Sequence, residues 1–174
     1  DHFYSLSVTG IATPSLDARL VNRLGLRSDV KRTPIFGLGC VGGAIGLTRA
    51  ADAVRARPNE TALVLATELC SLTLQRDDAS IANVVASSLF GDGAAAVIVR
   101  GADVAASGPA VVATRSIFYP DTEQVMGWDV GDGGFRVVLS ADVPRYAAGL
   151  RVDVEKFLAD AGTSLADIGV FVCH

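Results

Sequence analysis

The chain has 174 residues, half of them hydrophobic, with a mean hydropathy of +0.40, and this composition predicts a folded protein with a sizeable core rather than a disordered one. Its 15 basic residues are scattered among 19 acidic ones, so we expect neither a nucleic-acid partner nor an anionic membrane surface as partner. No apolar run approaches the roughly 18 residues of a membrane span, and three widely spaced cysteines favour a reducing compartment, so we expect a soluble, cytoplasmic protein.

Helices and strands are predicted from periodicity and from helix start and stop signals. Helices are expected at 16–24, closed by Gly25, from just after Cys40 to Pro58, at 79–89, and from Val143 to a stop at Gly162. Short β-rich runs predict strands at 3–8, 33–36, 62–66, 94–99, 111–118, 135–139 and 168–173. Strand and helix alternate at first, which favours an α/β layered architecture with a largely parallel central sheet. Two predicted strands then follow each other directly between residues 94 and 118.

Both ends of the chain resemble internal positions. The chain enters a strand-like run directly at Asp1 without a Met, and it stops inside the apolar run VFVCH at His174. We therefore expect an internal fragment of a longer protein, and we expect these 174 residues alone not to catalyse turnover.

Cys40 has the setting of a nucleophile. It stands between a predicted strand and the first turn of a predicted helix, flanked by Gly37, Gly39, Gly42 and Gly43. A helix N-terminus stabilises a thiolate, and glycines allow a substrate to approach closely. A small buried thiol packed among glycines explains the same residues, and the spacing leaves both readings open.

Other sites based on cysteine or carboxylate side chains are less well supported. A hydrolase-type nucleophile elbow needs Gly where Leu38 stands. Cys40, Cys70, Cys173 and His174 do not have the paired spacing of zinc ligands, so no metal is expected. No acid–base role is assigned to Glu68 or Asp92.

Four segments together resemble the central part of type III polyketide synthases. They are VTGIATPSLDARL, LGLRSDVKRTPIFGLGCVGGAIGL, LATELCSLTLQ and SLFGDGAAAVIV, in that order. The resemblance implies a thiolase-like layered αβαβα fold, present here in part. Residues 1–104 would be part of the N-terminal half with the nucleophile, and 105–174 the beginning of the C-terminal half.

The resemblance also implies the catalytic residues. Cys40 matches the acyl-accepting cysteine, Phe90 of LFGDGA the gatekeeper at the entrance of the cavity, and His174 of VFVCH the catalytic histidine. The family's catalytic Asn would follow His174. Without the resemblance, Phe90 would be a core aromatic residue and His174 an exposed imidazole without a role.

Further positions match the family's substrate cavity. The resemblance implies that Cys70, Thr73, Thr9 and Phe135 line it, although ordinary packing explains Cys70 and Thr73 as well. Thr13 falls where the plant enzymes place a Met that reaches into the partner subunit, so it is expected at a dimer interface.

By resemblance the protein is an acyltransferase that condenses malonyl-CoA repeatedly with an acyl-CoA starter and cyclises the product. No metal, nicotinamide or flavin is implied, and a homodimer is expected. The ELCSLTLQRDD segment resembles bacterial members and suggests an alkylresorcinol or alkylpyrone synthase. Two alternatives remain: a ketoacyl synthase III, against which Val41-Gly42-Gly43 weighs, and an inactive fragment or non-catalytic homologue.

Overall fold

The computed structural model describes residues 1–105 and 107–174. The strands are β1 (His2–Leu6), β2 (Lys31–Ile35), β3 (Thr61–Glu68), β4 (Gly93–Arg100), β5 (Met126–Gly131) and β6 (Gly134–Leu139). The helices are α1 (Leu16–Leu24), α2 (Gly42–Ala56), α3 (Ile81–Leu89) and α4 (Val143–Asp160), with short 3₁₀ turns at Gly39–Val41, Cys70–Thr73 and Leu165–Asp167. Within these described ranges, no helix has both the length and the apolar composition needed to cross a membrane.

The larger sheet has the strand order β2-β1-β3-β4. Strand β1 is parallel to both β2 and β3, whereas β4 is antiparallel to β3, with pairs running from Thr61–Arg100 to Glu68–Gly93. The carboxyl ends of β1, β2 and β3 therefore meet at one edge, and the chain segments that leave these strands lie close together there.

The core lies between this sheet and α2. Its buried members are Leu6 of β1, Ala50 and Val54 of α2, and Ala62 and Val64 of β3. They fall on one face of the helix and on alternate positions of the strands, as the two periodicities require.

Gly46 allows α2 to approach the sheet closely. A Cβ atom built at this position would lie 2.7 Å from Leu6 Cδ1 and 2.8 Å from Val64 Cγ1, which is closer than real Cβ contacts. The absence of a side chain at Gly46 thus sets the height of α2 above the sheet, and with it the position of the turn that precedes the helix.

Glu60 connects the amino ends of the first strands. Its carboxylate accepts hydrogen bonds from Lys31 Nζ at 2.9 Å and from Nε2 of the buried His2 at 2.5 Å. The bond from Lys31 is the main cause that lowers the pKa of Glu60, and the bond from His2 adds to it against the opposing effect of desolvation. The chain segment before β3 is thereby tied to both β1 and β2.

The chain divides into two compact units. Unit 1 comprises Asp1–Leu74 and Leu89–Val111, and unit 2 comprises Gln75–Ser88 and Val112–His174. Unit 2 contains the antiparallel β5–β6 hairpin and α4. Two residues that precede the hairpin donate hydrogen bonds to carboxylates of α4: Arg115 to Asp160 at 2.5 Å, and Tyr119 to Asp153. This division by contacts differs from the halves 1–104 and 105–174, which stay a prediction.

All four predicted helices are present, and five of the seven predicted strands are present as β1, β2, β3, β4 and β6. The strands predicted at 111–118 and 168–173 were wrong. The structure describes both segments and pairs neither with a neighbouring strand; Val112 and Val172 are among their exposed residues. Apolar β-formers favour a pleated, half-buried surface, and within the described part of the chain no neighbouring strand provides that surface for either segment.

Strand β5 was not predicted. Its sequence MGWDVG is rich in glycine and resembles a loop. The sequence does contain a signal for a hairpin at this place. Asp132 and Gly133 connect Gly131 to its pairing partner Gly134, and Asp-Gly is typical of a two-residue hairpin turn.

Candidate active site

Cys40 lies in the turn that joins β2 to α2. Gly37 and Gly39 have positive φ angles of 89° and 60°, which residues with a side chain rarely adopt. The chain therefore reverses sharply and places Cys40 in the 3₁₀ turn directly before α2, where the side chain is exposed. The prediction that Cys40 lies between a strand and the start of a helix is confirmed, and its role as nucleophile stays a prediction.

The start of α2 can stabilise a negative charge at this turn. The N-cap residue Val41 offers no side-chain hydrogen bond to the first amides of the helix. These N–H groups and the positive end of the helix dipole favour an anion close to the N-terminus. A thiolate at Cys40, or an oxyanion formed on an acyl group attached to it, fits that environment.

Thr9 and Glu68 connect the segments that follow β1 and β3. The Thr9 hydroxyl donates to Glu68 Oε2 at 2.7 Å and accepts from the backbone N–H of Leu69 at 2.8 Å. The backbone N–H of Val8 donates to both oxygens of Glu68 at 3.1 Å. Thr9 is buried, so its hydroxyl holds two chain segments together, and its predicted role in lining a cavity stays a prediction.

Cys70 and Thr73 share the 3₁₀ turn that follows β3. Thr73 is buried and its hydroxyl donates to the carbonyl of Cys70 at 2.9 Å. Partial burial is the main cause that raises the pKa of the Cys70 thiol, and the charges of Glu68, Asp92 and Cys40 raise it further. Cys70 is therefore held as a neutral thiol, which suits a wall residue better than a second nucleophile.

Asp92, which directly precedes the first residue of β4, binds the same 3₁₀ turn. Its Oδ1 accepts from the backbone N–H of Ser71, and its Oδ2 accepts from the Ser71 hydroxyl, both at 2.7 Å. These two bonds lower the pKa of Asp92, so its carboxylate stays ionised at neutral pH. Asp92 lies two residues after the half-buried Phe90. Sequence reasoning gave neither Asp92 nor Glu68 a role, because their partners are distant in the chain.

Six of the eight predicted site residues belong to unit 1. Five of them lie at or near the strand ends: Cys40, Thr9, Cys70, Thr73 and Phe90. The sixth is the exposed Thr13, whose peptide bond to Pro14 is cis.

The other two predicted site residues belong to unit 2. Phe135 lies on β6 and stacks on Trp128 of β5 across the hairpin, with ring centroids 6.0 Å apart. His174 is exposed, and the strand expected to lead up to it is not formed. Over residues 1–105 and 107–174, no group of three or more His, Cys, Asp or Glu side chains is arranged to hold a metal ion.

Residues 1–104 match a family model described as chalcone and stilbene synthases, N-terminal domain. The chain belongs to the chalcone and stilbene synthase family. Its relatives include a 1,3,6,8-tetrahydroxynaphthalene synthase from Streptomyces peucetius subsp. caesius, which is 55% identical over 97% of this chain and 45% of its own length. A 3,5-dihydroxyphenylacetyl-CoA synthase from Streptomyces toyocaensis is 35% identical over 99% of this chain and 46% of its own length.

A solved structure supports the same assignment. The crystal structure of 1,3,6,8-tetrahydroxynaphthalene synthase from Streptomyces coelicolor A3(2), a bacterial type III polyketide synthase, has a TM-score of 0.94 at 33% identity and covers 100% of this chain and 49% of its own. The predicted family and the partial thiolase-like α/β fold are thereby confirmed. This member of the chalcone and stilbene synthase family spans about half the length of the relatives it matches.

Proposed function

We propose that this chain is the nucleophile-bearing part of a type III polyketide synthase in which Cys40 carries the growing acyl chain. The observation that supports this most strongly is the position of Cys40, exposed in a glycine-shaped turn at the start of α2. Family membership gives that geometry its chemistry, because the relatives named above are synthases of polyketide-type products.

The first step is the loading of Cys40. The thiolate attacks the carbonyl carbon of an acyl-CoA, the new C–S bond forms, and the CoA thiolate leaves. The amides at the start of α2 lie in the turn where oxyanion character develops, so they can stabilise the intermediate.

The second step extends the chain. Malonyl-CoA loses CO2, and the electron pair of the broken C–C bond forms an enolate that attacks the acyl carbon on Cys40. The C–S bond to Cys40 breaks and the extended chain is transferred to CoA. His174 pairs with the Cys40 thiolate and, with an Asn that would follow it, donates hydrogen bonds to the thioester oxygen as the enolate forms.

The remaining site residues shape the cavity in this proposal. Phe90 separates the CoA tunnel from the cavity, and Cys70, Thr73, Thr9 and Phe135 line its wall. Thr13 contributes to a homodimer interface, which its exposed position before α1 supports. The protein would act in the cytoplasm on acyl-CoA and malonyl-CoA without a metal or a redox cofactor.

Two product classes are proposed. The ELCSLTLQRDD segment favours an alkylresorcinol or alkylpyrone, made from a long acyl-CoA starter. The 55% identical relative is named a 1,3,6,8-tetrahydroxynaphthalene synthase, and a skeleton of that kind can be assembled from malonyl-derived units alone. Supplying malonyl-CoA with and without a long acyl-CoA, and comparing the products by mass spectrometry, distinguishes the two.

The proposal is tested on the full-length protein that contains this chain. Incubation with acyl-CoA should increase the intact mass by one acyl group, and peptide mapping should place that group on Cys40. Cys40→Ala should abolish acylation and product, whereas Cys70→Ala, the matched thiol control, should retain acylation.

Three results would contradict this function. Product that forms only with malonyl-carrier protein, and not with malonyl-CoA, would favour a ketoacyl synthase III. Acylation that persists in Cys40→Ala would place the acyl group on another nucleophile and contradict the role of Cys40. No acylation of a folded wild-type protein would favour a non-catalytic homologue.

A further inference from the structure

The paired part of β3 and β4 ends at Glu68 and Gly93. Beyond this last pair, β3 leads into the 3₁₀ turn Cys70–Thr73, and the segment that precedes β4 contains Phe90. The backbone pairing of β3 and β4 does not extend to these two segments, and side-chain bonds between them can set their separation.

Asp92 supplies such a connection. It stands next to Gly93 and holds both polar groups of Ser71, with its Oδ1 on the backbone N–H and its Oδ2 on the hydroxyl. Two bonds of 2.7 Å to a single residue fix orientation as well as distance, because each carboxylate oxygen has its own donor.

The turn that Asp92 holds is itself ordered internally. Thr73, 9% exposed, donates to the carbonyl of Cys70, so a side-chain hydrogen bond joins the two ends of the turn 70–73. A shift of Ser71 relative to Asp92 would therefore move the whole turn relative to Phe90.

We propose that Asp92 is a positioning residue: its bonds to Ser71 set the spacing between the turn 70–73 and Phe90, and this spacing determines which acyl starters the site accepts. The inference rests on the proposed function, in which the turn 70–73 forms part of the wall of the starter cavity and Phe90 its entrance. It adds a residue that touches neither substrate nor nucleophile.

Asp92 has a second effect that can be measured separately. Its charge, after burial and the charge of Glu68, acts in the direction that raises the pKa of the Cys70 thiol. Removing this charge should therefore lower the pKa of Cys70.

Three substitutions in the full-length protein separate the two effects. Asp92→Asn can keep both bonds, since its amide oxygen accepts from the Ser71 N–H and its amide nitrogen donates to the Ser71 hydroxyl, while the charge is lost. Asp92→Ala loses the bonds and the charge. Ser71→Ala loses the hydroxyl bond only, and Asp103→Ala serves as control for the loss of an exposed carboxylate.

The first measurement is the ratio of kcat/KM for a short and a long acyl-CoA starter. Asp92→Ala should change this ratio by about fivefold or more, whereas Asp92→Asn and Asp103→Ala should stay within about twofold of wild type. Ser71→Ala should change it in the same direction by a smaller factor. If Asp92→Ala fails to fold, the starter ratios of the other two variants are compared instead. Ser71→Ala should then change the ratio more than Asp92→Asn does.

The second measurement is the pH dependence of Cys70 alkylation, followed by mass spectrometry. Both Asp92 variants should lower the pH at which Cys70 reacts at half its maximal rate, because each removes the same negative charge.

An unchanged starter ratio in Asp92→Ala, in an enzyme whose wild type makes polyketide, would overturn the positioning role and leave the proposed function standing. If the pH dependence of Cys70 alkylation is the same in both Asp92 variants and the wild type, the Asp92 charge does not affect the pKa of Cys70. A folded wild type without condensing activity would contradict the proposed function itself.

Discussion

The hydroxyl of Thr9 joins Glu68 and Leu69, donating to Glu68 Oε2 at 2.7 Å and accepting from the Leu69 N–H at 2.8 Å. Strands β1 and β3 are paired up to Leu6 and Ala66, and beyond that point Thr9 continues the connection through its side chain. The segments after these two parallel strands are therefore held together at the edge where Cys40 lies.

Thr9→Val tests this connection, because valine keeps the shape of threonine and removes both hydrogen bonds. Loss of the two hydrogen bonds, each contributing about 0.5–1.5 kcal/mol, should lower the free energy of unfolding by about 1–3 kcal/mol in total, measured by urea denaturation. Thr9→Ser retains the hydroxyl and should lose less. Equal stability of Thr9→Val and wild type would show that the bonds contribute nothing.

Gly46→Ala should destabilise the protein although alanine is the better helix former. The added Cβ would meet Leu6 Cδ1 at 2.7 Å and Val64 Cγ1 at 2.8 Å. Overpacking of this kind costs about 1–3 kcal/mol, against about 1 kcal/mol gained in helix propensity. Gly43→Ala in the same helix is the control, since no atom lies within 4 Å of its added Cβ. If both variants unfold at the same temperature, α2 does not depend on the close approach at Gly46.

Cys40 should react with iodoacetamide faster than Cys70 at pH 7.5. Cys40 is exposed, whereas burial and neighbouring charges raise the pKa of Cys70 and so lower its thiolate fraction. The rate at Cys70 should keep rising with pH above the range in which an ordinary thiol has levelled off. Peptide mass spectrometry over time measures both rates. Faster labelling of Cys70 at neutral pH would contradict the neutral-thiol assignment.

Glu60→Gln should lower the thermal midpoint at pH 7 and change it little at pH 3. The pKa of Glu60 is lowered from its ordinary value of 4.5, mainly by the hydrogen bond from Lys31. A carboxyl group with a lowered folded-state pKa stabilises the fold above its unfolded pKa, and this stabilisation is lost as pH falls through the folded-state value. Thermal unfolding between pH 3 and 7 measures the difference, and Glu123→Gln, at an exposed carboxyl outside this network, is the control. If the difference in thermal midpoint between Glu60→Gln and wild type is the same at every pH, ionisation of Glu60 is not what stabilises the fold.

The sequence predicted the elements whose signals are local. Helix α1 ends at Leu24 before Gly25, which has a φ of 61°, and α4 starts at Val143 with Pro144 in its first turn. The turn around Cys40 was also predictable, because the glycines that shape it are adjacent in the chain. Family recognition came from the order and spacing of several such segments together.

The features that sequence analysis missed depend on partners far away in the chain. Ser71 and Asp92 are 21 residues apart, and Thr9 and Glu68 are 59 apart. Apolar runs at 111–118 and 168–173 have the composition of strands, but among residues 1–105 and 107–174 neither is paired with another strand, so their propensity is not realised there.

The insertion of Gln75–Ser88 between β3 and β4 has a consequence for the order of folding during synthesis. This segment, which contains α3, leaves the ribosome before β4 does, yet it belongs to a compact unit whose other residues begin at Val112. Strand β4 can pair with β3 as soon as it emerges, before the residues from Val112 onward are made. The four strands of the larger sheet can therefore pair before the rest of the unit that contains α3 has been synthesised.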